Sequence, residues 1–281
     1  MGFDVSYHPL GDEEIKRWYF DALEQLKGGA ETAVVEMART AGMDDFYVQK
    51  YLDALKAGLN AEDTELFDKS HGFYIAVVQG FFRKYFYVRG GAFTFLVEAK
   101  PAYRRYTETW ADILGFTPKN PAKNQIVENY SSGVIIPNTK TGQLLNDIHS
   151  DPQVRADLDE YFSHGRLEIF LAALKYAVES DLSLLEATEV VEPNPLDLNG
   201  SASYSNLFNC DPEGALLYRE AVMEQLAEAG IDPAKDSIER QVNHVDAEGN
   251  VTVEKTPDTG AKVKVEPRKK GFFSKLFGGK D

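Results

Sequence analysis

A single cysteine, Cys210, stands in the 281 residues. That excludes an intrachain disulfide and any paired-cysteine motif, and it fits a reducing compartment, where Cys210 reads as a small buried hydrophobe. Long apolar runs are also missing. The most apolar segment, 73–97, is broken by Gln79, Arg83, Lys84 and Arg89, and each cation at membrane depth costs about 2.5–3.5 kcal/mol. The opening residues, Met1 to Pro9, carry neither a basic flank nor an apolar stretch, so no secretory signal is read and a cytoplasmic location is expected. Met1-Gly2 with Ser6 matches the short N-myristoylation pattern, but so few fixed positions carry no expectation.

Positive charge is scarce as well: 30 Lys and Arg face 45 Asp and Glu, for a formal charge of −15. A general nucleic-acid binder needs a basic face to replace counterions, so nucleic acid is not an expected partner. Motifs that carry standard catalysis are absent: there is no Walker loop, no Gly-x-Gly-x-x-Gly after a strand, no His-Glu-x-x-His and no Gly-x-Ser-x-Gly elbow. The reading therefore leans away from an enzyme, with no cofactor and no metal. Glu160, His164 and Glu168 have the spacing of one helical face, yet Gly165 is expected to break that helix; His149 between Asp147 and Asp151 is an equally weak metal candidate.

What the sequence does have is aromatic residues, and ten of its 33 fall between Phe67 and Phe95. Tyr74, Val77, Val78, Phe81, Phe82 and Tyr85 follow the spacing of one helical face, with Ile75 and Phe86 on the flank. A helix so apolar belongs in the middle of a bundle. Around it, helices are read at 12–27, 31–41, 44–57, 102–114, 151–162, 166–185 and 211–230, with a short helix at 92–98. Val5, Tyr7 and Pro9 form a strand-like lead into the first helix. Three prolines and a short apolar run, Val134 to Ile136, mark 115–150 as irregular and a natural pocket rim.

The expected fold class is accordingly mainly α: a multi-helix bundle around a central aromatic-rich helix, with a small C-terminal β-hairpin and a flexible tail. The expected domains are an acidic helical body at 1–232, a hairpin appendage at 233–255 built from Val242–Val245 and Val251–Val253, a linker at 256–267 and a basic amphipathic tail at 268–281. Charge divides with these boundaries. The body holds 20 cations and 37 anions, net −17, whereas the last 14 residues hold five cations and one anion, net +4.

Two stretches invite a functional reading. Between Arg83 and Arg105 lie six cations and only one anion, Glu98, with Tyr85, Tyr87, Tyr103 and Tyr106 interleaved. On a continuous helix Gln79, Arg83 and Tyr87 would form a polar stripe; with Arg89, Gly91, Arg104 and Arg105 they make a candidate site for an anionic small molecule, guanidinium forks binding phosphate or carboxylate. The alternative is that these cations pair with carboxylates of neighbouring elements. In the tail, Phe272, Phe273, Leu276 and Phe277 would share one side of a helix, with Lys269, Lys270 and Lys275 supplying charge. Burying four such side chains offers about 6–12 kcal/mol, while ordering about eight residues costs about 12 kcal/mol, so docking would be reversible.

The functional expectation is a non-catalytic interaction protein. Its acidic body would bind a partner protein, an inhibited basic toxin or nuclease being one concrete case, and its tail would dock to a membrane or a second protein. The alternative is a binder of, or enzyme acting on, an anionic small molecule at the Arg83–Arg105 segment.

Overall fold

The first strand carries Ser6, His8 and Leu10 on one side and Val5, Tyr7 and Pro9 on the other, and all six are buried. A strand with no solvent face must be covered on both sides. In the structure, a computed structural model that describes residues 3–61, 65–233, 236, 238–245 and 251–258, this strand, β1 (Asp4–Leu10), is the centre of a five-stranded sheet.

From β1 the chain enters α1 (Asp12–Ile15), a π-helical turn at Lys16–Phe20, and α2 (Asp21–Lys27), closed by Gly28-Gly29. Then come α3 (Glu31–Thr40), α4 (Asp45–Leu59) and α5 (His71–Phe82). Next are β2 (Tyr85–Arg89), α6 (Phe93–Ala99), a 3-10 turn at Pro101–Tyr106, and α7 (Trp110–Leu114). β3 (Ser132–Ile136), α8 (Asn138–Ser150), α9 (Pro152–Tyr161), α10 (Arg166–Glu179) and β4 (Ser183–Thr188) follow. A short β5 (Val191–Glu192) pairs with β6 (Ala202–Ser203), and β7 (Cys210–Asp211) leads into α11 (Pro212–Glu228). Finally β8 (Ile238–Val245) and β9 (Val251–Asp258) pair antiparallel.

The sheet order is β3-β4-β1-β2-β7; β1 is antiparallel to both neighbours, and β7 is parallel to β2. Two apolar cores lie on its two faces. One gathers Leu10, Ile135 and Leu185 with the helices from α1 to α5; the other gathers Val5, Tyr7, Phe86, Val134 and Leu184 with α6 and the helices from α8 to α10. The architecture is three layers, helix on sheet on helix. At one edge α11 lies so close to β2 that any side chain at Gly214 would collide with the Tyr87 carbonyl.

This overturns the all-α bundle. The aromatic run does not form one central helix: α5 stops at Phe82, Arg83 adopts extended backbone, and the chain passes through β2 before α6. Strands buried on both faces show no alternation of polar and apolar residues, so their spacing continued the helical pattern by coincidence. The same error extended α10 to 185, whereas it ends at Glu179, Asp181 takes left-handed backbone, and 183–188 is β4. Likewise 132–150, read as irregular, is β3 and α8. The hairpin strands are longer than expected, and β9 takes in Thr256–Asp258 of the predicted linker. Among the described residues, no helix is long and apolar enough to cross a membrane.

Candidate functional site

The breakup of the aromatic run scatters the residues expected to bind an anion. Gln79 is buried on α5, Arg83 caps that helix, and Tyr87 sits on β2, so the predicted stripe of three does not exist. Five of the six cations between 83 and 105 meet carboxylates. Arg83 pairs with Glu14, Lys84 with Asp211 at 2.6 Å, and Arg89 with Asp4 at 2.5 Å; Lys100 contacts Asp157 at 2.8 Å and Glu160 at 2.9 Å, and Arg105 contacts Asp147 at 3.7 Å. Tyr87 donates to Asp4 at 2.6 Å, and the Gly91 carbonyl lies 3.0 Å from the Tyr7 hydroxyl. Of this segment only Arg104 has no carboxylate partner among the described residues. The expected tail residues, Lys269, Lys270, Phe272, Phe273, Lys275, Leu276 and Phe277, lie outside the described residues.

Gln79 belongs instead to a buried polar network. Its Nε2 donates to the carbonyls of Pro9 (3.0 Å) and Lys84 (3.1 Å), which leaves Oε1 to accept from His8 Nδ1 at 2.7 Å. His8 Nε2 is then the acceptor for the Ser6 hydroxyl at 2.8 Å. The order hydroxyl, imidazole, amide resembles that of a nucleophile, its base and an orienting group. All three side chains are wholly buried, however, and burial holds the His8 pKa down to about 4, so the imidazole stays neutral. Without access for a substrate the network pins β1 to α5 and to the turn at Lys84.

Burial displaces several acids upward, the partly buried Asp12 among them. Glu186, inside the sheet, is raised to about 7 and Asp68 to about 6, each against hydrogen bonds that favour the anion. Glu189 is raised by burial and by the neighbouring Asp4. Burial also raises the Cys210 thiol to about 12, which makes it a poor nucleophile. Among the described residues no group of three or more His, Cys, Asp or Glu could hold a metal. Gly165 does separate α9 from α10, so Glu160, His164 and Glu168 share no helix.

A surface that the sequence reading missed lies at the start of α4. Asp44 caps that helix, its carboxylate accepting from Tyr47 N at 2.9 Å, which orients Phe46 outward with 64% of its surface exposed. Phe208, on the 3-10 turn Leu207–Asn209, is 88% exposed. Tyr47 joins them: its ring lies 5.1 Å from Phe46 and 6.3 Å from Phe208, both edge-on. The mounting is rigid. Asn209 Nδ2 donates to the carbonyls of Gly80 and Phe81 at 3.0 and 3.2 Å, and Lys50 reaches Ser203 O at 2.8 Å with its ammonium 5.6 Å from the Phe46 ring. Two aromatic rings far apart in sequence are thus held out to solvent on one framed patch, with Asp44 and Asp45 exposed beside them. No sequence signal links 46 to 208.

Comparison with protein-family models, with curated proteins and with solved structures finds no match for this chain.

Proposed function

We propose that the chain is a non-catalytic interaction protein whose acidic body binds a partner protein through Phe46, Tyr47 and Phe208. The observation that carries this reading is the pair of exposed phenyl rings on a pinned frame. Exposed aromatic side chains lose little entropy on docking when they are already oriented, and aromatic anchors dominate interface energetics. The charge of −15 suits a basic partner and would speed its approach at low salt. An inhibited basic toxin or nuclease remains the concrete case, in the cytoplasm. Reversible docking of residues 268–281 to a membrane or a second protein is a separate part of the proposal and rests on the sequence alone.

Affinity capture with the full chain and with the F46S/F208S variant tests the body's role, followed by titration of the purified partner against both. Loss of two anchors worth about 2 kcal/mol each predicts a fall in affinity of several hundredfold. A partner held equally well by both proteins would place the interface elsewhere.

A further inference from the structure

A pocket of about 330 Å³ opens between the π-helical turn Lys16–Phe20 and α7, with the chain just after α7 as its outer wall. Its size is at the lower end for small-molecule sites, and its lining is of the kind such sites have, apolar with a few charged groups. Ile15, Ile113 and Leu114 supply aliphatic surface, and Phe20 and Phe116 supply two rings. The outer wall is built locally. Gly115 ends α7 in left-handed backbone at φ 68°, and the next residue, Phe116, meets Phe20 with ring centroids 5.8 Å apart and planes at 80°. Half of Phe116 stays exposed. Two phenyl planes near a right angle make a corner, the beginning of the cage in which aromatic faces hold organic cations.

Uncompensated charge on the rim has one sign. Lys16 is the single base in the lining, and both oxygens of Asp21 hold its ammonium, at 2.7 and 2.8 Å. Asp12 and Glu13 have no hydrogen-bond or ion-pair partner among the described residues, and both are open to solvent. The adjoining Glu14 has a structural task that they lack: its carboxylate accepts from Gly11 N at 2.9 Å and pairs with Arg83. Partial burial, with repulsion from Glu108 and Glu13, raises the Asp12 carboxyl above its ordinary range, and a cation in the pocket would relieve that repulsion. The exposed Phe46 ring differs, because the protein's own Lys50 stands over it. Among the described residues no Lys or Arg stands over Phe20 or Phe116.

We propose that this pocket binds a small organic ammonium ion, its apolar body against Ile15, Ile113 and Leu114 and its charge between the Phe20–Phe116 corner and the carboxylates of Asp12 and Glu13. Carbon substituents on the nitrogen fill an aliphatic wall that offers a hydrated metal ion nothing, and among the described residues no group of acids converges as metal ligands. No covalent step is involved. The site is separate from the patch at Phe46 and Phe208 and stands whether or not that patch binds a protein.

Binding of benzyltrimethylammonium to the full chain is followed through the ligand's NMR signals at constant ionic strength, with benzyl alcohol and phenylacetate as its neutral and anionic counterparts. Saturable binding of the cation with a Kd of about 1 mM or below is expected, at least about tenfold tighter than that of the alcohol, with no binding of phenylacetate. D12N/E13Q keeps the shape of the rim and removes its charge, so the cation should bind at least about tenfold more weakly while the alcohol binds as before. Phe116→Leu keeps an apolar wall and removes the ring, and should weaken the cation about two- to fivefold. The Tm of each variant verifies that it is folded. No saturable binding of the cation, equal affinity for cation and alcohol, or cation binding undiminished in either variant overturns the proposal.

Discussion

The Tyr7 hydroxyl on β1 donates to Glu186 Oε2 on β4 at 2.9 Å, between residues directly paired across two antiparallel strands. The same carboxylate oxygen accepts from Phe93 N at 2.6 Å, the first N–H of α6, and the Thr94 N–H lies 3.3 Å from Oε1. Gly133 permits this arrangement, because a side chain there would run into the Glu186 carboxylate. One buried acid therefore joins the sheet to a helix start, at the cost of being hard to ionise.

That cost makes stability depend on pH, with a definite sign. Unfolded, Glu186 loses its proton near 4.5; folded, near 7. Between those values the folded Glu186 holds more proton than the unfolded, so its contribution to stability is greatest below 4.5 and falls as pH rises to 7. Asp68 and Glu189 act in the same sense, whereas His8, folded pKa about 4, opposes them between 4 and 6.5. Glu186→Gln cannot ionise, so from pH 5 to 8 it should gain about 2–3 kcal/mol relative to wild type, at 1.36 kcal/mol per pKa unit. Parallel Tm-against-pH curves for the two proteins would contradict this.

Gln79→Leu should be strongly destabilising. It leaves His8 Nδ1–H and the carbonyls of Pro9 and Lys84 without their partner. At about 1–3 kcal/mol for each unsatisfied buried group, the total exceeds about 3 kcal/mol, a fall in Tm of about 6–12 °C. An unchanged Tm would return Gln79 to the ligand role that its sequence context suggested.

Arg83 and Arg104 should behave differently. Arg83 pairs with Glu14, each side chain 22% exposed, and its guanidinium lies 5.7 Å from the Trp18 ring. Arg83→Ala should cost about 1–2 kcal/mol in urea unfolding, and Arg104→Ala less than about 0.5. Equal losses would mean that Arg104 has a structural partner.

We further predict that residues 1–232 unfold cooperatively without 233–281. Both cores that sandwich the sheet lie within 1–232. The truncated chain should melt within about 8 °C of the full one, at 2–4 °C per kcal/mol for a large domain. Loss of a cooperative transition would move that boundary.

The helices that show one face to solvent were legible from sequence: readings at 31–41 and 44–57 overlie α3 and α4, where polar and apolar positions separate at helical spacing. The sheet was not, because β1, β2 and β4 are covered on both sides and carry no period of two. Nor could spacing show that Phe82 ends a helix and that Arg83 and Arg89 then pair with different carboxylates, on Glu14 and Asp4. The cation cluster was visible as a cluster in sequence and dispersed in space. Phe46 and Phe208 come together only because Tyr47 and Asn209 fix two distant turns, a relation no local pattern records.

The place of β1 has a further consequence, for the time the fold takes to form. Ser6 pairs with Tyr87 on one side and with Ala187, 181 positions away, on the other. During synthesis at about 5–20 residues per second the middle strand waits roughly 10–40 s for its second neighbour. Such distant pairing also predicts slow refolding, since chain closure must precede the contacts that reward it. A nascent chain halted before residue 183 would present an apolar strand with one edge open, the species in which this protein should depend most on chaperones.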